Sequence, residues 1–355
     1  MRTPPEQPAE APKAAVIIIH FGDAALTKAA VESVLAQTIS ERLKVVVVDN
    51  GSTDDASRRL RGWFGDRVTL VRSEENRGFA GGNNLGLRYA EGRYVLLLNN
   101  DAEARPEWAE RLIAAAEADS TVGMCTPKIL AWADRKRIDC TGHNMYPDGL
   151  SRSRGNWQRD DGRYDTQEET LVASGCAGLY LREAVMEWGG FDEDFFAYQD
   201  DIELGLKLRL SGYRCLYVPE AVVYHHGSAG EGLHDRTKVF LIERNRVWTL
   251  LLFFPLTRIL ASPLHTTLRL WGSYRSGRRG IGQAGEVARR SPLWRVGATI
   301  LHAWFAALMA LPAIVRKRWR IRARRKIGAR EFRDLLSRFR ATVDEMGFGG
   351  REPCP

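Results

Sequence analysis

The chain has 355 residues, 44% hydrophobic and 27% charged, the proportions of an ordinary globular protein too long for one small domain. Its net charge of +8 is local: residues 316–330 hold nine Lys or Arg and no acid, and removing those nine leaves the rest of the chain at −1. A nearly neutral body with one basic segment argues against a nucleic-acid-binding coat and for a tail that faces an anionic surface.

The five cysteines, Cys125, Cys140, Cys176, Cys215 and Cys354, are scattered, with no C-x-x-C pair and no metal-ligand spacing. They read as small buried thiols of a reducing compartment. Residues 1–14, with Pro4, Pro5, Pro8 and Pro12, lack the apolar core of a signal peptide and read as a flexible lead to a cytosolic protein.

From residue 15 to about 126 the pattern alternates strand and helix. Apolar runs at 16–19, 45–48, 68–71 and 94–98 predict strands. Helical periodicity covers 27–37, 81–90 and 106–118, the last with Pro106 in its first turn. Unbroken apolar strands separated by helices predict a parallel sheet covered on both faces, with ligands beyond the carboxyl ends of the strands. The second strand ends in Asp49-Asn50-Gly51-Ser52-Thr53-Asp54 and the fourth in Asn99-Asn100-Asp101, so both present acidic and amide groups to one rim. Residues 127–170 are polar and read as an irregular insertion over that rim. Order resumes at 171–181, which contains Ser174-Gly175-Cys176-Ala177-Gly178. A helix starting within 199–203 and running through 210 follows, then strand-like runs at 213–218 and 221–225, and beyond residue 235 a mostly helical segment rich in large apolar residues and arginine.

Three groups of residues have the chemistry of a site. Asp101 closes a strand. Asp200, Asp201 and Glu203 open a helix; one carboxylate there serves the helix dipole, but three within four positions repel one another and require a cation or a proton. Tyr224-His225-His226 ends a strand, and a histidine pair in a chain with two acidic clusters suits a metal ligand. In addition, residues 76–84 form a glycine-bearing loop opening a helix, whose amides and Arg77 suit a phosphate.

The segments VVVVDNGSTD (45–54), NRGFAGGNN (76–84), LLLNND (96–101) and GGFDEDFFAYQDDIELGLKLRLSG (189–212) together resemble glycosyltransferase family 2 in order and spacing, and its rhamnosyltransferase-like branch in the Asn-x-Asp strand end. The resemblance covers residues 15 to about 230. It implies a GT-A type α/β fold, a mostly parallel nucleotide-sugar-binding sheet with flanking helices. Residues 15–126 would form the nucleotide-sugar half and 127–234 the acceptor half, followed by a helical, basic, membrane-associating region at 235–355.

Residue by residue, Asp49 matches the acid that meets the nucleobase, with Asn50 and Ser52 in the same loop and Asp54 there or capping the next helix. Arg77, Asn99 and Asn100 fall among the nucleotide contacts. Asp101 matches the carboxylate that holds Mg²⁺ or Mn²⁺ against the diphosphate; Asn99 departs from the aspartate found in many relatives, which leaves the site less negative. Asp201 matches the catalytic base, supported by Asp200 and Glu203, and His225, or else His226, the metal-binding histidine.

The tail bears on location. Residues 248–255 are strongly apolar, and 296–315 are uncharged over twenty residues, the minimum for a crossing. A buried helix, an interfacial helix and a span all fit, with the basic run behind it and Trp294, Trp304 and Trp319 favouring the interface. Arg244 and Arg246 face acceptor phosphates or are taken up in ion pairs.

The expectation is a metal-dependent, inverting glycosyltransferase at the cytoplasmic face of the inner membrane, without nucleic-acid partners. It would transfer from a nucleotide-sugar donor, dTDP-L-rhamnose first and a UDP-hexose or UDP-galactofuranose second, to a lipid-linked or glycan acceptor in cell-surface glycan assembly. The rivals are a sugar-phosphate nucleotidyltransferase, disfavoured because the first strand ends in His20-Phe21-Gly22-Asp23 without a basic residue, and a non-catalytic nucleotide-sugar-binding scaffold.

Overall fold

A computed structural model describes residues 11–53, 55–227, 235–278, 292–342 and 345; Asp54 lies outside them. Strands β1 (Ala14–His20), β2 (Leu43–Asn50), β3 (Thr69–Ser73) and β4 (Tyr94–Asn99) pair in parallel in the order β3-β2-β1-β4. The inner strands β1, β2 and β4 are apolar on both faces because both faces are covered, whereas the terminal β3 exposes Arg72. Val16, Ile18, Val45, Val47, Leu96 and Leu98 pack with helices α1 (Ala24–Leu35), α2 (Ala56–Phe64) and α4 (Trp108–Glu117). Their neighbours Ala15, Ile17, Val46, Val48, Val95 and Leu97 face α3 (Gly78–Leu87), α5 (Arg182–Glu187) and α6 (Asp200–Leu210).

Beyond β4 the sheet is mixed rather than mostly parallel. The three-residue β11 (Leu179–Leu181) lies antiparallel between β4 and β6 (Val122–Ala131), and β12 (Arg214–His225) runs parallel to β6. No helix lies between the loop at 174–177 and β11, so that strand enters by a direct reversal and not by a crossover. The two strand-like runs at 213–225 form the single strand β12, with a register shift against β6 between Val218 and Val222, where Pro219 cannot donate to the ladder.

The insertion expected at 127–170 is more ordered than an irregular cover. It contributes β7 (Ile138–Cys140) to β6, β10 (Glu168–Thr170) to β12, and a separate pair, β8 (His143–Met145) with β9 (Ser151–Ser153). The residue composition is polar because these strands are short and sit at the rim, yet Met145, Tyr146 and Asp148 are buried.

The C-terminal helices are α7 (Asp235–Phe253), α8 (Leu256–Arg278), α9 (Leu293–Met309), α10 (Leu311–Arg324) and α11 (Ala329–Arg338). They share a core with the body: Trp248, Leu250, Leu252 and Phe253 of α7 pack with Ile202, Leu206 and Leu210 of α6 and with Ala307, Ile314, Ile321, Phe332 and Leu336. A buried charge network adds to this. Arg269 Nε donates to Asp148 Oδ2 at 2.7 Å and its Nη2 lies 2.9 Å from Glu243 Oε1, while Arg246 Nε donates to Glu243 Oε2 at 3.0 Å. Trp304 Nε1 also donates to Glu243, at 3.2 Å, so this indole turns inward and not toward a headgroup.

The uncharged stretch 296–315 is not one helix. It breaks at Ala310, between α9 and α10, where Pro312 starts the new helix and the axes turn by 62°. Among the described residues no single helix is long and apolar enough to cross a membrane; the bent pair of α9 and α10 meets the requirement only in length and composition. Two of the helices expose apolar stripes. Leu256, Leu260, Leu264, Leu268 and Trp271 line one side of α8, and Leu301, Phe305, Leu308 and Met309 one side of α9.

Candidate active site

The turn after β4 leads into β5 (Ala102–Ala104), which pairs antiparallel with the end of β12 and sets Ala102 opposite His225. That register brings Asp101 to the imidazole: Asp101 Oδ1 lies 3.3 Å from His225 Nε2. On the other side of the ring, Nδ1 lies 2.7 Å from Asp139 Oδ2, contributed by β7. A carboxylate behind one ring nitrogen fixes the tautomer and aims the other nitrogen, the arrangement common behind metal-ligating histidines. Burial works against charge on His225, but the adjacent Cys176, Asp101 and Asp139 outweigh it and hold its pKa well above the ordinary histidine value.

His226 is directed elsewhere. Its ring stacks on Trp132 with centroids 4.2 Å apart, and the Arg135 guanidinium also lies over that indole, at 4.6 Å. Its backbone N–H donates to Asp101 O at 2.9 Å and helps to hold the turn.

Asp201 stands at the second position of α6. Its Oδ2 accepts from Gly175 N at 2.9 Å and its Oδ1 from its neighbour Ile202 N at 2.8 Å. A Cβ at Gly175 would meet Asp201 Cβ at 3.1 Å and Oδ2 at 3.2 Å, so a larger residue there presses on the Asp201 side chain. His143 Nε2 lies 3.8 Å from Asp201 Oδ2 and 3.8 Å from Cys140 Sγ. Burial opposes charge on His143, yet Cys140, Asp201 and Asp139 lift its pKa to about 9.

Two strips of backbone tie the base to the histidine. Gly175 holds Asp201 while Cys176 O accepts from Asn99 N at 2.8 Å, at the head of the Asp101 turn. Asp139 and Cys140, adjacent on β7, touch His225 and His143 respectively. Asp101, His225 and Asp201 therefore belong to one rim.

The other two carboxylates of the acidic helix start do not share it. Asp200 is buried, and burial together with adjacent Asp201 drives its pKa well above the carboxylate range. Glu203 is fully buried against Lys207 Nζ at 2.7 Å, and burial still raises it to about 6. Of the three, Glu203 is answered by Lys207 one turn on, and Asp200 and Glu203 are both buried, whereas Asp201 is part-exposed.

Asp49 is buried at the end of β2. Burial pushes its pKa up, but hydrogen bonds from Ser52 N at 3.0 Å and from the Ser57 hydroxyl prevail and hold it low. Asn50 braces the glycine loop, donating to Gly78 O at 3.0 Å and accepting from Arg77 N at 3.0 Å. The Arg77 guanidinium has no ion pair among the described residues. Asn100 Nδ2 donates to Phe21 O at 3.1 Å, linking the Asp101 turn to the end of β1.

Of the arginines expected near an acceptor, Arg246 is taken up in the buried network with Glu243 and Asp148 and is 2% exposed, the ion-pair alternative. Arg244 donates to Asp194 O at 2.9 Å and Phe195 O at 3.1 Å and lies over Trp248 at 4.3 Å.

Asp139, His143 and Cys176 were not singled out from the sequence. They reach the rim only through tertiary pairing of short strands and one loop, and no local pattern marks them.

Among the described residues no three His, Cys, Asp or Glu side chains converge as a metal cage. A cation at this rim would take one carboxylate and one imidazole from the protein, from Asp101 and His225, and its remaining oxygens from phosphate and water, a donor set that suits Mg²⁺ or Mn²⁺. The orientation of His225 by Asp139 fits that use.

Residues 15–189 match the model of glycosyl transferase family 2, and over them the chain belongs to that family. The N-acetylglucosaminyl-diphospho-decaprenol L-rhamnosyltransferase of Mycobacterium tuberculosis is 28% identical over 244 residues, 58% of this chain and 76% of its own length. The O-antigen biosynthesis protein RfbC of Myxococcus xanthus is 28% identical over 230 residues, 61% of this chain. The chain spans only 25% and 18% of the length of the first two curated relatives it matches. Among solved structures, GalNAc-T7 with UDP, GalNAc and Mn²⁺ superposes with a TM-score of 0.56 at 17% identity, over 79% of this chain and 54% of that one. The likeness is one of fold, a GT-A-like α/β sheet with flanking helices.

Proposed function

We propose that the protein is an inverting glycosyltransferase that moves a sugar from a nucleoside-diphosphate sugar to a lipid-linked acceptor in cell-surface glycan assembly. The observation that carries this reading is the shared rim of Asp101, His225 and Asp201, in a chain whose residues 15–189 match the family model.

In this reading Asp201 takes the proton of the acceptor hydroxyl as its oxygen attacks the anomeric carbon from the side opposite the leaving diphosphate, which inverts that centre. Gly175 N–H and the start of α6 hold the carboxylate in place for it. Asp101 and His225 would hold a divalent cation, which when bound supplies positive charge for the departing nucleoside diphosphate. Arg77 and the first turn of α3 add fixed positive potential for the same phosphates. In the same reading Asp49, at the end of β2, accepts from an N–H of the nucleobase.

The favoured donor is dTDP-L-rhamnose, supported by the name of the mycobacterial relative, and a lipid-linked acceptor draws on the same name. A UDP-hexose or UDP-galactofuranose is the second choice. The exposed apolar sides of α8 and α9, next to the basic α10, support contact with the cytoplasmic leaflet of the inner membrane as a peripheral protein.

The test is donor hydrolysis and transfer by the purified protein against dTDP-L-rhamnose, UDP-glucose, UDP-galactose and UDP-galactofuranose, with Mn²⁺ or EDTA and with anionic lipid present. Turnover of one donor that EDTA abolishes is the expected result. No metal-dependent turnover of any of them sinks the catalytic reading.

A further inference from the structure

Asp201 follows a segment of unusual backbone. Phe196, Tyr198 and Gln199 have φ of +65°, +66° and +65°, the left-handed region that residues with a Cβ avoid, and none is glycine. Such a run persists only where its surroundings over-determine it.

Most of what holds it comes from α7, outside residues 15–189. Asn245 is fully buried, and three carbonyl oxygens converge on its Nδ2: Phe195 O at 2.9 Å, Ala197 O at 2.9 Å and Tyr198 O at 2.7 Å. A side-chain amide has two N–H groups, so the three acceptors share them and all its donor capacity goes to this segment. Arg244 Nε donates to Asn245 Oδ1 at 3.0 Å, which turns the NH₂ toward the loop. Ala80 N donates to Phe196 O at 3.1 Å from the opposite side, and Gln199 is anchored through Ser151 N at 3.1 Å and Gly149 O at 2.8 Å. Held at both ends, the segment sets the direction from which α6 starts, and hence where the Asp201 carboxylate points.

We propose that Asn245 is a positioning residue for Asp201, which makes the C-terminal helical layer part of the catalytic unit and not merely an appended membrane anchor. The proposal rests on Asp201 acting as the base. A polar clamp on strained backbone beside a reacting group predicts a defect in kcat. A purely structural role predicts a lower Tm and nothing more.

The experiment uses the full-length protein and whichever nucleotide sugar of the panel above the wild type turns over. Asn245→Ala, Asn245→Asp and Leu252→Ala are compared for Tm, donor KM and kcat. Asn245→Asp keeps the volume and removes both N–H donors, whereas Leu252→Ala loosens the same helix at a buried apolar site that makes no hydrogen bond to the loop. The expected result is a kcat lowered at least about tenfold in both Asn245 variants, in line with the cost of small misplacements of catalytic groups. Donor KM should stay within about twofold, since the clamp touches only the base segment, and Leu252→Ala should lower Tm while retaining kcat.

If one Asn245 variant does not fold, the other carries the comparison; if neither folds while Leu252→Ala does, Asn245 is structural and the proposal is overturned. An Asn245→Ala enzyme with the kcat of Leu252→Ala overturns it as well. If Asp201→Asn retains full turnover, or the wild type turns over no donor, the reading of Asp201 as base fails and this inference falls with it. An inactive Asp201→Asn beside a fully active Asn245→Ala defeats the inference alone.

Discussion

Two groups of charged side chains flank the start of α6, and they are built on opposite terms. Asp148, Glu243, Arg246 and Arg269 are nearly inaccessible, with side-chain exposures of 0%, 6%, 3% and 6%, and their two acids and two arginines balance. At the rim, Asp101, Asp139 and Asp201 face His225 and His143, with exposures of 12%, 32%, 17%, 16% and 14%. The first group is closed and neutral and joins helices. The second is open and carries more acid than its fixed cations answer, as a site must if a cation or a reacting proton is to complete it. Ionic density alone does not mark function; imbalance with access does.

The largest expected effect breaks the closed group. Arg269→Met leaves two buried carboxylates, Asp148 and Glu243, with Arg246 as the one remaining cation between them and should cost about 3–5 kcal/mol in denaturant unfolding. A loss below about 1 kcal/mol, the size of a surface pair, would show that the network is not a strut.

Next comes its acid sensitivity. Burial raises the pKa of Glu243, but Arg269, Arg246 and the Trp304 indole overcome this and bring it from 4.5 to about 2. A depressed folded pKa means that the stability is fully present above pH 4.5 and disappears as pH falls toward 2. At 1.36 kcal/mol per unit this is about 3 kcal/mol. Unfolding followed from pH 5 to pH 2 should therefore lose less stability in Glu243→Gln than in the wild type; equal slopes would contradict the assignment.

The open group is more tolerant in stability and more sensitive in ligand binding. Asp139→Asn should weaken Mn²⁺ binding about 10- to 100-fold by releasing His225, with little change in Tm, as read by calorimetric titration in the presence of nucleoside diphosphate. Unchanged affinity would make Asp139 a bystander. The smallest effect is expected on the exposed helices. Leu260→Glu with Leu264→Glu should reduce cosedimentation with phosphatidylglycerol vesicles about tenfold, with the other apolar residues of α8 and α9 still in contact, and leave the fold intact. Undiminished binding would show that α8 is not the contact.

The two regions also differ in how far they could be read from sequence. The strands of the body are apolar runs ended abruptly by Asp49 and Asp101, a local signal that survives without knowledge of the fold. The family follows from four such segments in order. Asp139 and His143 carry no comparable signal, because they sit on three-residue strands in a polar stretch without periodicity, and only pairing with β6 and β9 brings them to the rim. The parallel sheet was over-extended for the same reason: β11 is too short to announce its direction. In the C-terminal region Arg244 and Arg246 looked alike, yet side chains two apart on a helix point to different neighbours, one to the Asp201 loop and the other into the closed network. The twenty uncharged residues at 296–315 read as one element because composition does not register a bend at Ala310.

The central claim is that the rim divides its work, Asp101 with His225 holding the metal-bound diphosphate and Asp201 taking the acceptor proton. The most direct test measures donor affinity with Mn²⁺ and the rate of transfer in the wild type, Asp101→Ala and Asp201→Asn. The account predicts that Asp101→Ala loses the metal-dependent part of donor binding. It predicts that Asp201→Asn binds donor as the wild type does but transfers about 10²- to 10⁴-fold more slowly. Wild-type transfer by Asp201→Asn, or metal-dependent donor binding that survives Asp101→Ala, would contradict it.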